Sequence, residues 1–221
     1  MAIPESFTYQ QAACIPETWL TAYQLLHLVA GVKPGDKVLV HAGGSAVGIA
    51  AIQLIQSAGA KAYVTAGATK KIDFAVSLGA EAGFNYKEGE WATALKEASG
   101  GGVDVILDPV GGSYWSQNAD AINAEGRWVV FGLMGGPKID GPILATLLRK
   151  RCRIEGTTLR ARPLNYKGDL VSRFWAHAEE RFVSGQFKPV VDKVYKLEEA
   201  QEAHMYMETN ASNGKISLEM F

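Results

Sequence analysis

A chain of 221 residues, 48% hydrophobic and 20% charged, has room for one large domain, or one domain plus part of a second, around a real core. Its formal net charge of -1 leaves the molecule as a whole no electrostatic footprint for nucleic acid or an anionic membrane. Cys14 and Cys152 are too few and too far apart for a disulfide framework or a metal knuckle; with no secretory leader visible at residues 1–6 and no apolar run near the roughly 18 residues of a bilayer span, a cytoplasmic protein is expected.

Residues 1–10, with Pro4, read as a linker. Residues 16–30 carry apolar side chains at helical spacing and stop at Gly31 and Pro34. A strand–helix rhythm follows, with strands predicted at 37–41, 62–65, 84–86, 103–107, 127–131 and 153–159. The helices between them are predicted at 46–58, 69–78, 91–98, 114–121 and 143–149. Short apolar strands alternating with helices imply βαβ crossovers, so the expected fold is α/β, a doubly wound six-stranded parallel Rossmann sheet. After Pro163 the rhythm ends: a long amphipathic helix is predicted at 169–183, then a strand (189–195), a helix (197–208) and a short strand (215–220). That tail is too small to fold alone and must dock on something. The expected division is 1–30 linker and connecting helix, 31–165 Rossmann domain and 166–221 C-terminal helix and tail.

The segment HAGGSAVG (41–48) follows a predicted strand and opens a predicted helix. Small residues there let the backbone approach a pyrophosphate, and the helix start offers unpaired N–H groups to the anion. The spelling departs from G-x-G-x-x-G, because Ser45 and Ala46 stand where glycine is usual; alone, the turn could equally be an ordinary tight βα turn. The end of the second strand bears on which dinucleotide is bound. An NAD site places Asp or Glu about 20 residues past the glycine turn, to hold the ribose hydroxyls. Here the sequence is TAGATKK (65–71). Lysine attracts a 2′-phosphate that a carboxylate would repel, and Gly67 leaves room for it; the bland alternative is two lysines facing solvent. Two further glycine-bearing strand ends, DPVGG (108–112) and FGL (131–133), fall on the same sheet edge and can approach a nicotinamide or be plain βα turns.

Taken together, TAYQLL (21–26), KPGDKVLVHAGGSAVG (33–48), TAGATKK (65–71), GFNY (83–86), ILDPVGGSYW (106–115), GRWVVFGLMGG (126–136) and EAHMYMETNASNGKI (202–216) resemble the zeta-crystallin-like NADPH:quinone oxidoreductases. These belong to the medium-chain dehydrogenase/reductase superfamily, and the GGSYW and GLMGG segments resemble its tumour-suppressor-inducible branch. The resemblance implies zinc-independent reduction of quinones with NADPH. Carried over by position, Ser45, Ala46, Val47 and Gly48 would meet the pyrophosphate, and Gly67, Lys71 and Tyr86 would surround the 2′-phosphate. Gly112, Phe131, Gly132 and Leu133 would lie along the nicotinamide, and Thr21 would approach its carboxamide. Members of the family usually have Ser or Thr where Ala68 stands, which implies one phosphate hydrogen bond fewer. Zinc-dependent relatives place a cysteine ligand about where Glu17 stands, so no metal is expected. The family carries a GroES-like catalytic domain of roughly one hundred residues ahead of the segment matching residues 3–13. That domain is expected to be largely absent here, so the tail, a remnant without its partner sheet, is expected to be the least ordered part or to shield its apolar face by packing elsewhere, with turnover correspondingly low.

No side chain is an obvious general acid, so the catalytic residue is unknown. His41 reads as structural, and His27, His177 and His204 are given no role. Two other classes of function compete with this reading. One is a non-catalytic NADP(H)-binding protein. The other is nucleic-acid binding through Arg149, Lys150, Arg151, Arg153, Arg160 and Arg162, for which a solvated or interface role is favoured. The uncovered edge of the strand at 153–159 predicts a homodimer, as in relatives that join two such edges.

Overall fold

The computed structural model describes residues 1–220. The chain opens with α1 (Tyr9–Ala13) and α2 (Thr18–Tyr23), the latter running on as a widened π-type turn, Gln24–Ala30, that ends at Gly31 with φ 61°. The expected linker therefore contains a helix. Its start was legible as a capping box: Thr8 Oγ1 accepts from the Gln11 backbone N–H at 3.2 Å while Gln11 Oε1 accepts from the Thr8 N–H at 3.0 Å.

Six strands follow: β1 (Lys37–Val40), β2 (Lys61–Ala66), β3 (Ala80–Asn85), β4 (Val103–Asp108), β5 (Ile122–Val130) and β6 (Arg153–Gly156). They form one all-parallel sheet in the order β3-β2-β1-β4-β5-β6, the expected doubly wound arrangement. The chain builds outward from β1 to β3, then returns to β4 on the other side of β1. That reversal opens a crevice at the carboxyl ends of β1 and β4, where ligands of such sheets bind. Helices α3 (Ala46–Ser57), α4 (Thr69–Ser77), α5 (Trp91–Ser99), α6 (Trp115–Ala121) and α7 (Ile143–Lys150) make the crossovers.

Strand alternation divides the core into two layers. Val38, Val40, Val64, Val105 and Leu107 pack on one face with α2, α3 and the long helix α8 (Leu164–Val183); Leu39, Tyr63, Ile106 and Trp128 pack on the other with α5 and α6. Trp115 stacks on Trp128 with ring centroids 5.1 Å apart. The strand expected at 153–159 is shorter than predicted, because the chain leaves the sheet after Gly156. Thr157 keeps one backbone bond to β5, its N–H donating to the Val130 carbonyl at 3.0 Å, and its hydroxyl accepts from Gln24 Nε2 at 2.9 Å and Arg162 at 3.0 Å. The basic cluster is largely tied down: Lys150 donates to the Asp120 and Ile122 carbonyls, Arg151 pairs with Glu125, and Arg153 donates to the Val29 carbonyl.

The tail is docked. β7 (Val191–Lys196) and β8 (Lys215–Glu219) pair in parallel across α9 (Ala200–Glu208). The Gln53 side chain in α3 exchanges two hydrogen bonds with the Lys188 backbone, at 2.8 and 3.1 Å, Lys215 pairs with Glu17 at 2.8 Å, and the Gly214 N–H reaches the Gly44 carbonyl at 3.3 Å. Of the two expectations for the tail, packing elsewhere is the one found: it lies against the N-terminal helices, α3 and the turn after β1. No described helix is long and apolar enough to cross a membrane.

Two histidines meet where α8 covers the π-type turn. The His27 and His177 ring centroids lie 5.3 Å apart, with Tyr23 against both and Arg181 donating to the His177 carbonyl. Burial, then the neighbouring His177 and Arg181, pushes His27 down to about 4; burial and Arg181 also lower His177. The folded state therefore resists protons that the unfolded chain accepts below its ordinary histidine range. Stability from this contact is whole above about pH 6.5 and is lost as pH falls towards about 4. The melting temperature is expected to drop across that window, and His27→Gln should flatten part of the drop; an identical profile for the variant would contradict the assignment.

Candidate functional site: the carboxyl edge of the sheet

The turn out of β1 is shaped by close backbone approaches. Ala42 takes a left-handed conformation, φ 54°, which folds the chain back directly after the strand. A Cβ on Gly43 would lie 2.6 Å from the Val64 Cβ, and one on Gly48 would lie 2.5 Å from the Ala42 carbonyl oxygen. Those two positions need glycine for space, whereas Ser45 and Ala46 stand where the turn tolerates a side chain. Ser45 caps α3, its hydroxyl accepting from the Gly48 N–H at 3.1 Å.

On one side of this turn lies a cavity of about 580 Å³, lined among others by Ser45, Ala46, Gly67, Lys71, Tyr86 and Tyr114. A Cβ on Gly67 would stand 2.4 Å from the Tyr86 hydroxyl, so the bare glycine is what admits that hydroxyl beside Lys71. Lys71 sits in the first turn of α4 and donates to Asn210 Oδ1 at 3.2 Å. Burial holds its ammonium below its usual range, opposed by Asp192 and reinforced by Lys87. Ala68 occupies the N-cap of α4 with no side-chain hydrogen bond, as expected from the hydroxyl it lacks.

On the other side lies a second cavity of about 830 Å³, lined by Thr21, Val47 and Phe131 with apolar Leu20, Leu25 and Leu170. Eight of the twelve residues singled out in the sequence therefore line the two cavities: Ser45, Ala46, Gly67, Lys71 and Tyr86 in one, Thr21, Val47 and Phe131 in the other. Gly48 packs beneath the turn between them. Gly112, Gly132 and Leu133 line neither cavity. The Gly112 N–H donates to the Gly136 carbonyl at 2.8 Å, a Cβ on Gly132 would meet the Pro109 carbonyl oxygen at 2.8 Å, and Leu133 is exposed.

Sequence reasoning missed the tail's share. Asn210, Ser212 and Gly214 line the smaller cavity beside Lys71, and Gly214 forms a β-bridge with Ser45. Their only local signal is a polar, glycine-bearing stretch between a helix and a strand. Nothing in that pattern says which distant turn it will cover.

Residues 46–175, more than half of the chain, match the zinc-binding dehydrogenase family model. The chain belongs to that family. Within it, the chain is 32% identical over 224 residues to quinone oxidoreductase-like protein 2 of Bos taurus, covering 99% of this chain and 62% of the relative. The crystal structure of Escherichia coli quinone oxidoreductase complexed with NADPH superposes with TM-score 0.84 at 30% identity, covering 100% of this chain and 68% of that one. An NAD-dependent alcohol dehydrogenase superposes with TM-score 0.86 at 32% identity, covering 100% and 62%. The chain thus spans about three fifths of the length of the curated relatives it matches, as the 62% coverage shows. Among its relatives the chain is thus similar to quinone oxidoreductase-like proteins of the medium-chain superfamily. Its structural neighbours include both an NAD-dependent and an NADPH-bound protein, so the choice of cofactor rests on this chain's own residues.

Proposed function

We propose that this family member binds NADPH along the carboxyl edge of its sheet and is the cofactor-binding part of an NADPH-dependent oxidoreductase that reduces quinones. The observation that carries the reading is the shared turn. Ser45 and Ala46 face a cavity holding a lysine and a tyrosine hydroxyl, while Val47 faces a larger, mostly apolar one. A dinucleotide laid across residues 45–48 would place its adenosine end in the first and its nicotinamide end in the second, as expected for a ligand at a switch point. The residues fit the group: Gly67 keeps open a space that any side chain would fill, no carboxylate ends β2, and a half-buried ammonium faces that space.

When bound, the nicotinamide supplies two electrons and a hydrogen to the acceptor. The chain's own part is binding and exclusion of water. The start of α3 offers N–H groups to the pyrophosphate, Lys71 and Tyr86 hold the 2′-phosphate, and Leu20, Leu25, Phe131 and Leu170 give the second cavity an apolar wall that suits a planar quinone ring, with Glu17, Arg160 and Lys167 also in its lining. Gly112, Gly132 and Leu133 stay in the proposal as residues bordering the nicotinamide side rather than touching it.

The zinc-independent form of the reading rests on the donor set. Glu17 pairs with Lys215, and among the described residues no three His, Cys, Asp or Glu side chains are grouped so as to hold a metal ion. These residues do not fit a zinc centre, and no step is routed through one. The test is oxidation of NADPH by the purified chain, and by its complex with any partner domain, against a panel of quinones. Saturable oxidation with quinones supports the reading, and oxidation with none of them, by either preparation, contradicts it.

We further propose a cytoplasmic homodimer. The outer edge of β6 has no described partner strand, and beside that end of the sheet α7 turns Leu144 and Leu148 to solvent, 81% and 79% exposed, while Ile143 and Leu147 pack inward. An open edge next to an apolar helix face suits pairing with a second copy. Light scattering at micromolar concentration is expected to give about twice the chain mass of 23.8 kDa; a monomer mass would contradict it.

A further inference from the structure

Four polar side chains are wholly buried beneath the two cavities. Thr65 lies near the end of β2, His41 follows β1, Asp108 ends β4 and Asn118 lies in α6, each no more than 1% exposed. None of them lines a cavity. They form one chain of hydrogen bonds: Thr65 Oγ1 to His41 Nδ1 at 2.8 Å, His41 Nε2 to Asn118 Oδ1 at 2.7 Å, and Asn118 Nδ2 to Asp108 Oδ2 at 3.2 Å.

The direction of each bond follows from Asp108. As a carboxylate it can only accept. Asn118 must then donate through its amide nitrogen, which leaves its oxygen to accept from His41 Nε2–H. Burial keeps the ring neutral, so Nδ1 accepts and the Thr65 hydroxyl donates. Tyr114, which lines the smaller cavity, packs edge-on against the His41 ring with centroids 4.8 Å apart. From Thr65 onward every proton of this chain points towards Asp108. Asp108 also accepts from Trp128 Nε1 at 2.9 Å, and its other oxygen takes the backbone N–H groups of Val110 at 2.7 Å and Gly111 at 2.9 Å. One oxygen thus shapes the turn after β4, while the other answers, through Asn118 and His41, to the ends of β1 and β2.

We propose that His41, acting through Asn118 and Asp108, is a positioning residue that fixes the turns after β1, β2 and β4 relative to one another and so preforms the dinucleotide site. The inference rests on the NADPH reading. Simple core packing would make a different demand: any side chain of similar size would serve at position 41. Glutamine can accept from Thr65 and donate to Asn118, whereas leucine can do neither.

The experiment compares wild type, His41→Gln, His41→Leu and Thr65→Val by calorimetric titration with NADPH and by amide hydrogen exchange at Val110 and Gly111. Thr65→Val keeps shape and removes only the hydroxyl, so it serves if His41→Leu does not fold. His41→Leu and Thr65→Val are expected to weaken NADPH binding roughly ten-fold or more, about 1.4 kcal/mol, and to speed exchange in a turn that neither residue touches. His41→Gln should restore most of both. Equal binding in all four proteins, or equal loss in Gln and Leu variants, would overturn the proposal. If wild type itself binds no NADPH, the cofactor reading fails separately. The exchange result then decides the network: faster Gly111 exchange in Thr65→Val sustains it, and unchanged exchange ends it.

Discussion

Lys71→Ala is expected to weaken NADPH binding by roughly ten- to a hundred-fold and to leave NADH binding nearly unchanged, because a charge-assisted contact contributes about 1.5–3 kcal/mol. The reason lies in what faces the ammonium. Without cofactor its one recorded hydrogen bond is to the neutral carbonyl of Asn210, and partial burial already works against its charge. A 2′-phosphate would replace a neutral acceptor with a doubly charged one in the same half-buried place. NADH has no group there, so its affinity should ignore the substitution. Calorimetric titration with both cofactors checks this, and equal losses would remove Lys71 from the 2′-phosphate.

Gly48→Val is expected to abolish cofactor binding and lower stability together. Its Cβ alone would press to 2.5 Å from the Ala42 carbonyl and 2.9 Å from Gly43, and these are backbone atoms that cannot swing aside. Overpacking of this kind costs roughly 1–3 kcal/mol, a fall in melting temperature of about 2–4 °C per kcal/mol for a chain of this size. Relief would displace the start of α3, and with it the N–H groups that meet the pyrophosphate. Two lost charge-assisted bonds correspond to roughly a hundred-fold or more in affinity. Gly168→Ala in α8 is the matched control, since a Cβ there meets nothing within 4 Å. It should raise stability by about 0.5–1 kcal/mol and leave binding alone. Normal NADPH binding by Gly48→Val would show that the turn does not carry the pyrophosphate.

The sheet was legible because its strands are short apolar runs separated by helices of crossover length, a pattern that leaves few topologies. The tight turn after β1 was legible because sterics at Gly43 and Gly48 write themselves into residue identity. Other features leave weaker traces. The run 153–159 reads as one strand, yet the ladder ends at Gly156 and the Thr157 hydroxyl turns to Gln24 and Arg162, partners 133 and 5 residues away in sequence. Asn210 and Ser212 reach the smaller cavity only because the tail brings Gly214 against Ser45, a contact between segments no local periodicity links. The buried chain from Thr65 to Asp108 was invisible for the same reason: His41, Asn118 and Asp108 look like unrelated polar residues until the strand order brings them together.

The proposed 2′-phosphate pocket of Gly67, Lys71 and Tyr86 at the end of β2 sets this protein apart from a generic dinucleotide fold. Side-by-side titration of the purified chain with NADPH and NADH measures it most directly. The account predicts one NADPH site per chain, at least ten-fold tighter than NADH, a difference of about 1.4 kcal/mol. Equal affinity for the two, or tighter binding of NADH, would contradict it.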